Sequence, residues 1–153
     1  MTMKRITTIL FLLLASIYAQ AFTLVIDPGH GGKDAGAIGK NSKEKDINLA
    51  VALAFGEMVK ANFPDVKVIF TRKTDVFVEL SERANIANKA KADLFVSIHT
   101  NSLPKGRISR GTETYTLGMH KAAENLEVAK RENSVITMES NYKTHYEGFD
   151  PSS

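Results

Sequence analysis

Apolar residues along the chain follow two periods in turn. Phe22 to Ile26 alternates and closes on β-branched residues, which predicts a strand. From Lys43 the period lengthens. Ile47, Val51, Ala54, Phe55, Met58 and Val59 recur at helical spacing, with Asn41-Ser42 as capping candidates and Asn62-Phe63-Pro64 as the stop. Val66 to Phe70 predicts a second strand, and Thr71-Arg72-Lys73-Thr74-Asp75 a polar loop. Leu80 to Ala92 predicts a second helix, with Leu80, Ala84, Ala87 and either Ala90 or Lys91 on its inner side. Leu94 to Ile98 is a continuous apolar run, the pattern of a strand covered on both faces. This strand, helix, strand order predicts an α/β fold with a largely parallel sheet and helices on both faces.

Beyond it, Leu103 to Gly111 reads as a loop with Pro104, Gly106 and two arginines, and Thr112 to Leu117 alternates as a fourth strand. Ala122, Leu126, Ala129, Asn133 and Ile136 step by four and three, so a third helix is expected over Met119 to Thr137. After Met138 the sequence turns polar and ends at Ser153 without another core element, as if in mid-loop. At the other end, Lys4 and Arg5 precede an uncharged, mostly apolar stretch from Ile6 to Ser16, and Ala19-Gln20-Ala21 has the small-x-small pattern of a cleavage site. Residues 1–21 are therefore expected to be an export signal, leaving 22–153 as one domain. The apolar run falls short of the roughly 20 residues that a membrane span needs.

Composition refines this picture in two places. The formal charge of +3 falls by two if the signal is removed, so the basicity argues for no nucleic-acid partner. The chain has no cysteine, so a metal could be held only by histidine and carboxylate. Between the first strand and first helix, Asp27-Pro28-Gly29-His30-Gly31-Gly32 combines turn chemistry with one imidazole. Open α/β sheets place their sites just past the carboxyl ends of strands, where His30 and His99 both fall. Glu44, in the first turn of the first helix, is a third potential ligand. Two imidazoles, a carboxylate and one open position form a catalytic zinc set. Bland readings stand beside this one: His30 as a turn residue, Glu44 as a helix-start carboxylate, His99 as a strand-edge histidine. His120 and His145 read as surface positions. The glycine-rich loop as a phosphate cradle is weaker, because it fits neither common phosphate-loop pattern.

Six segments bear on the choice. Asp27-Pro28-Gly29-His30-Gly31-Gly32, Gly36-Ala37-Ile38-Gly39, Glu44-Lys45-Asp46-Ile47-Asn48-Leu49, Thr71-Arg72 with Asp75, Leu80-Ser81-Glu82-Arg83-Ala84-Asn85, and Ser97-Ile98-His99-Thr100-Asn101 resemble, in order and spacing, the zinc-dependent N-acetylmuramoyl-L-alanine amidases of the amidase-3 type. The likeness covers about Leu24 to Leu117, and Met119 to Ile136 resembles a helical segment that follows in some members. The resemblance implies that His30, Glu44 and His99 bind Zn2+ on a twisted sheet flanked by helices. It implies hydrolysis of the amide between N-acetylmuramic acid and L-alanine in peptidoglycan, in a periplasmic or secreted protein. Peptidoglycan is then the implied partner, an activator protein is open to it, and no stable membrane anchor is expected after signal cleavage. Asn101, Arg72 and Glu113 are candidates for supporting or substrate-side groups, with a structural role preferred for each.

One departure from the family shapes the expectation. The general-base glutamate of these amidases lies on a late strand, in a stretch resembling Val-Glu-Leu-Gly-Phe followed by Ser-Asn. Glu147-Gly148-Phe149 echoes it only superficially. The catalytic glutamate and the carboxyl-terminal strands are therefore expected beyond Ser153, the chain being an amino-terminal portion of the catalytic domain. Two rival classes are a non-catalytic wall-binding or regulatory module and an exported phosphate or nucleotide binder.

Overall fold

A computed structural model describes residues 21–100, 102, 111 and 123–146. Its elements are β1 (Thr23–Pro28), α1 (Glu44–Asn62), β2 (Lys67–Phe70), α2 (Leu80–Lys89), β3 (Leu94–Ile98), α3 (Ala123–Asn133), a 3-10 turn (Ser134–Met138) and α4 (Tyr142–His145). The three strands form one parallel sheet in the order β2-β1-β3. Val25 sits opposite Ile69 on one side and Phe95 on the other. All six residues of β1 are buried, as its central position requires.

Strand alternation sends Leu24 and Ile26 to one face and Val25 and Asp27 to the other. The first face meets α1, where Leu24, Ile26, Ala52, Val59 and Phe70 form the core with Val68, Val96 and Ile98 packed against it. Gly56 permits this contact, since a Cβ there would lie 2.2 Å from the Phe70 ring. On the second face α2 reaches Asp27 through Arg83. The expected α/β sheet, parallel and with helices on both faces, is thus present.

Several expectations are corrected in detail. In α1 the inward face is Glu44, Asn48, Ala52, Gly56 and Val59, while Val51 and Met58 are 49% and 59% exposed. The polar first turn is drawn inward by the loop before it, and steps of four carry that phase down the helix. Leu94 and Phe95, expected to be covered on both sides, are also exposed, because β3 is an edge of the sheet formed by the described residues. Helix α2 stops at Lys89 rather than Ala92. Lys91 turns left-handed at φ 50°, and the Ala92 amide bonds back to the Ala87 carbonyl, closing the helix end. The third helix becomes a 3-10 turn after Asn133, so Val135 and Ile136 are buried while Ala129 and Asn133 are exposed.

The expected export signal over 1–21 apart from Ala21, the strand over 112–117, Asn101, Glu113, His120 and Glu147-Gly148-Phe149 lie outside the described residues. No described helix is long and apolar enough to cross a membrane.

Candidate metal centre

At the carboxyl end of the sheet the chain turns sharply at His30, which is left-handed at φ 62° and is followed by Gly31 and Gly32, also at positive φ. A non-glycine residue in that region carries a conformational cost of about 1–2 kcal/mol. Two buried guanidiniums hold the turn by its carbonyls. Arg72 donates to Pro28 O, Gly29 O and Lys45 O, each at 2.9 Å. Arg83 donates to Pro28 O and His30 O, also at 2.9 Å. Buried carbonyls need such partners, so the turn is fixed by its environment rather than by its own sequence.

The turn, the start of α1 and the end of β3 bring His30, Glu44 and His99 together. Their donor atoms, with one oxygen of Glu132, all lie within 4.8 Å of one another. Glu44 Oε1 is 3.3 Å from His30 Nε2 and 3.4 Å from His99 Nδ1. The rings of His30 and His99 meet edge to face at 4.8 Å between centroids. Backbone amides fix the Glu44 carboxylate, with Ala37 N donating to Oε2 at 2.9 Å and Thr100 N to Oε1 at 2.8 Å. Gly29 and Gly36 leave room for the rings: an added Cβ would lie 2.4 Å from the imidazole of His99 and 2.6 Å from that of His30.

Two contributors were not identified from the sequence. Asp34 Oδ2 lies 2.7 Å from His30 Nδ1, which fixes the ring and leaves Nε2 facing the cluster. Its spacing, four residues after the histidine, was the available signal. Glu132, near the end of α3, places Oε2 2.9 Å from His99 Nδ1 and 3.2 Å from His30 Nε2. A lone glutamate on a charged helical face gives no sequence signal of this kind. Asn101 and Glu113 lie outside the described residues, and His145 is exposed on α4, away from this cluster.

Without a metal, the charges compensate one another. Burial disfavours the charged form of His30, but Asp34, Glu132 and Glu44 outweigh it and raise its pKa to about 11. Burial likewise opposes charging of His99, which Glu132 and Glu44 still raise to about 9. Burial would push the Glu44 carboxyl up, yet His30, His99 and the Ala37 and Thr100 amides hold it well below the usual range. Glu132 is lowered in the same way against its own burial, by His30 and His99.

This donor set suits a divalent ion. His30 Nε2 is buried and faces the oxygens of Glu132 and Glu44 at 3.2 and 3.3 Å without a well-directed hydrogen bond to either, although buried polar atoms are normally satisfied. A cysteine-free set of two imidazoles and a carboxylate matches zinc preferences. Beside it opens a cavity of about 470 Å³, with Leu80, Ala84, Ala87 and Phe95 as its apolar wall and His99 and Glu132 at its polar end.

Fold and site together define a class: an α/β domain with a candidate divalent-metal centre at the carboxyl ends of parallel strands. The family model for N-acetylmuramoyl-L-alanine amidase (Amidase_3) matches residues 24–151, and the chain belongs to that family. It is 49% identical over 90 residues to the endolysin of Bacillus phage SPP1, covering 59% of this chain and 32% of that protein. It is 37% identical over 113 residues to the probable N-acetylmuramoyl-L-alanine amidase AmiB of Haemophilus influenzae, covering 72% and 26%. Among solved structures it resembles the N-acetylmuramoyl-L-alanine amidase of Clostridium difficile 630, with TM-score 0.56 and 40% identity, over 60% of this chain and 50% of that one. The catalytic domain of CwlV from Paenibacillus polymyxa matches with TM-score 0.51 and 45% identity, over 52% and 45%. The chain therefore spans about a third or less of these two curated relatives and about half of these two solved chains.

Proposed function

We propose that this chain carries the zinc-binding part of a cell-wall amidase, and that His30, Glu44 and His99 hold Zn2+ for hydrolysis of the N-acetylmuramoyl-L-alanine amide of peptidoglycan. One observation carries the reading: three donors from three separate elements converge on a point where His30 Nε2 is buried without a well-directed hydrogen bond. Zinc held there supplies Lewis-acid chemistry for a stable amide and makes water a usable nucleophile near neutral pH.

The chain's own residues do the rest of the positioning. Asp34 keeps the proton of His30 on Nδ1, so that Nε2 offers a lone pair. The Ala37 and Thr100 amides keep Glu44 ionised and aimed. The cavity beside His99 gives substrate an apolar wall from α2 and β3. Turnover also needs a carboxylate to carry a proton from water to the leaving amine. Asp34 and Glu44 are both committed to other partners, so that group belongs to a carboxylate outside this ligand set.

In this conformation Glu132 takes the position next to both imidazoles where substrate and water would have to enter. That favours a second reading, a module that binds wall material without turning it over. Glu132→Ala separates the two. With zinc present, the variant joined to a segment that supplies the late-strand carboxylate should release L-alanine amino termini from peptidoglycan at least tenfold faster than the same protein with Glu132, and Glu44→Gln in that background should abolish release. Stronger retention on peptidoglycan with no release would support the binding module. If zinc is not retained in stoichiometric amount and the His99→Ala form behaves like the parent, both readings of the centre fail.

A further inference from the structure

Helix α1 carries one polar side chain that its packing does not call for. Asn48 is 0% exposed, on the face where Ala52, Gly56 and Val59 are also buried. Asparagine is a poor helix former, and a buried amide is costly unless its polar atoms are paired. The reason for it lies in what it touches. Its Nδ2 faces Gly29 O and Glu44 Oε1, each at 3.4 Å, and its Oδ1 accepts from Thr100 Oγ1 at 2.8 Å.

These partners belong to the three segments that bring the candidate metal donors together. Gly29 precedes His30 after β1, Glu44 lies one turn before Asn48 on α1, and Thr100 follows His99 after β3. The orientation of the amide is forced by chemistry. A carbonyl and an ionised carboxylate only accept, so Nδ2 must face Gly29 and Glu44, and Oδ1 is left for a donor. The Thr100 hydroxyl is that donor. Its bond is the short one of the three, so it fixes the plane of the amide where the two long contacts could not. Gly29 O is held as well by Arg72, and Glu44 Oε1 by the Thr100 backbone amide. Oε1 is also the Glu44 oxygen that faces both imidazoles, 3.3 Å from His30 Nε2 and 3.4 Å from His99 Nδ1, while Oε2 accepts from Ala37 N.

On the reading that His30, Glu44 and His99 hold Zn2+, we infer that Asn48 is the positioning residue of that centre, one amide tying the three ligand-bearing segments together and directing Glu44 Oε1 toward the ion, with Thr100 Oγ1 setting the amide's orientation. Groups that orient metal ligands in this way are worth about 10–100-fold in metal affinity. Valine at position 100 would keep the shape of the side chain and leave Asn48 Oδ1 buried without a donor.

The test uses the full chain, stripped with chelator and titrated with Zn2+ against a chelating dye, then loaded separately with Co2+, whose visible bands report ligand geometry. Thr100→Val should bind Zn2+ about tenfold more weakly than the parent and shift the Co2+ bands. Thr100→Ser, which keeps the hydroxyl, should restore both. Asn48→Ala should weaken binding at least as much as Thr100→Val, and the two together no more than Asn48→Ala alone, because the hydroxyl acts through the amide. If Asn48→Ala does not fold, the two Thr100 variants decide. Parent-like Zn2+ affinity and Co2+ bands in Thr100→Val, with only the metal-free thermal midpoint lowered, would overturn the inference and leave the metal centre standing. An equal loss in Thr100→Ser and Thr100→Val would overturn it too. Failure of the parent itself to bind Zn2+ would overturn the metal centre and this inference with it.

Discussion

Arg83→Met tests whether the His30 turn is held from below the sheet. Arg83 is 4% exposed and its guanidinium uses every nitrogen: Nη1 lies 2.7 Å from Asp27 Oδ1 and 2.9 Å from Pro28 O, Nη2 2.9 Å from His30 O, and Nε 3.0 Å from Val78 O. Methionine fills much of the volume but satisfies none of these acceptors. Removing one partner of a buried ion pair costs about 3–5 kcal/mol. Asp27 keeps the hydroxyl donors Thr71 Oγ1 and Ser97 Oγ, which places the expected loss near the lower end, about 3 kcal/mol. With a urea slope of about 1–3 kcal/mol/M, the midpoint should fall by about 1.5 M at unchanged slope. A double-mutant cycle with Asp27→Asn should then show coupling of about 1–3 kcal/mol. If Arg83→Met leaves too little native protein to titrate, Arg83→Lys, which keeps the charge but loses the fork, should lose about half as much. A loss below about 1 kcal/mol, or strict additivity with Asp27→Asn, would refute the idea that this pair anchors the turn.

Two further changes probe separate links. Asp34→Asn keeps the shape beside His30 but removes the charge that fixes its ring, so Zn2+ affinity should drop about 10–100-fold while the thermal midpoint stays close to the parent's; chelator competition measures it, and an unchanged affinity would remove Asp34 from the centre. Gly56→Ala gains about 1 kcal/mol of helix propensity but drives a methyl into the Phe70 ring at a cost of about 1–3 kcal/mol. The net effect should be a lower thermal midpoint, and a rise would show that α1 and β2 are not packed this closely.

What the sequence determined by itself was the kind of the first five elements, from β1 to β3, and the three dispersed candidate ligands. Side-chain period is local, so strands at Thr23–Pro28, Lys67–Phe70 and Leu94–Ile98 and a helix from Glu44 follow from patterns that neighbours do not alter. Turn chemistry at Asp27-Pro28-Gly29 likewise marked where His30 would leave the strand. Which face of a helix is buried is a different matter, because it depends on partners far away in the chain. Glu44 and Asn48 turn inward because the Ala37 amide, the Gly29 carbonyl and Thr100 wait there, and this drags Val51 and Met58 into solvent. Tertiary structure alone decided that Arg83 would be buried under Asp27 and that Glu132 would stand between two histidines. It also decided that Glu139 would cap a helix begun 59 residues earlier. Charged residues have no periodic signature of burial; they go inside only where folding supplies an opposite charge or a bare backbone group, and that supply is a property of the assembled chain.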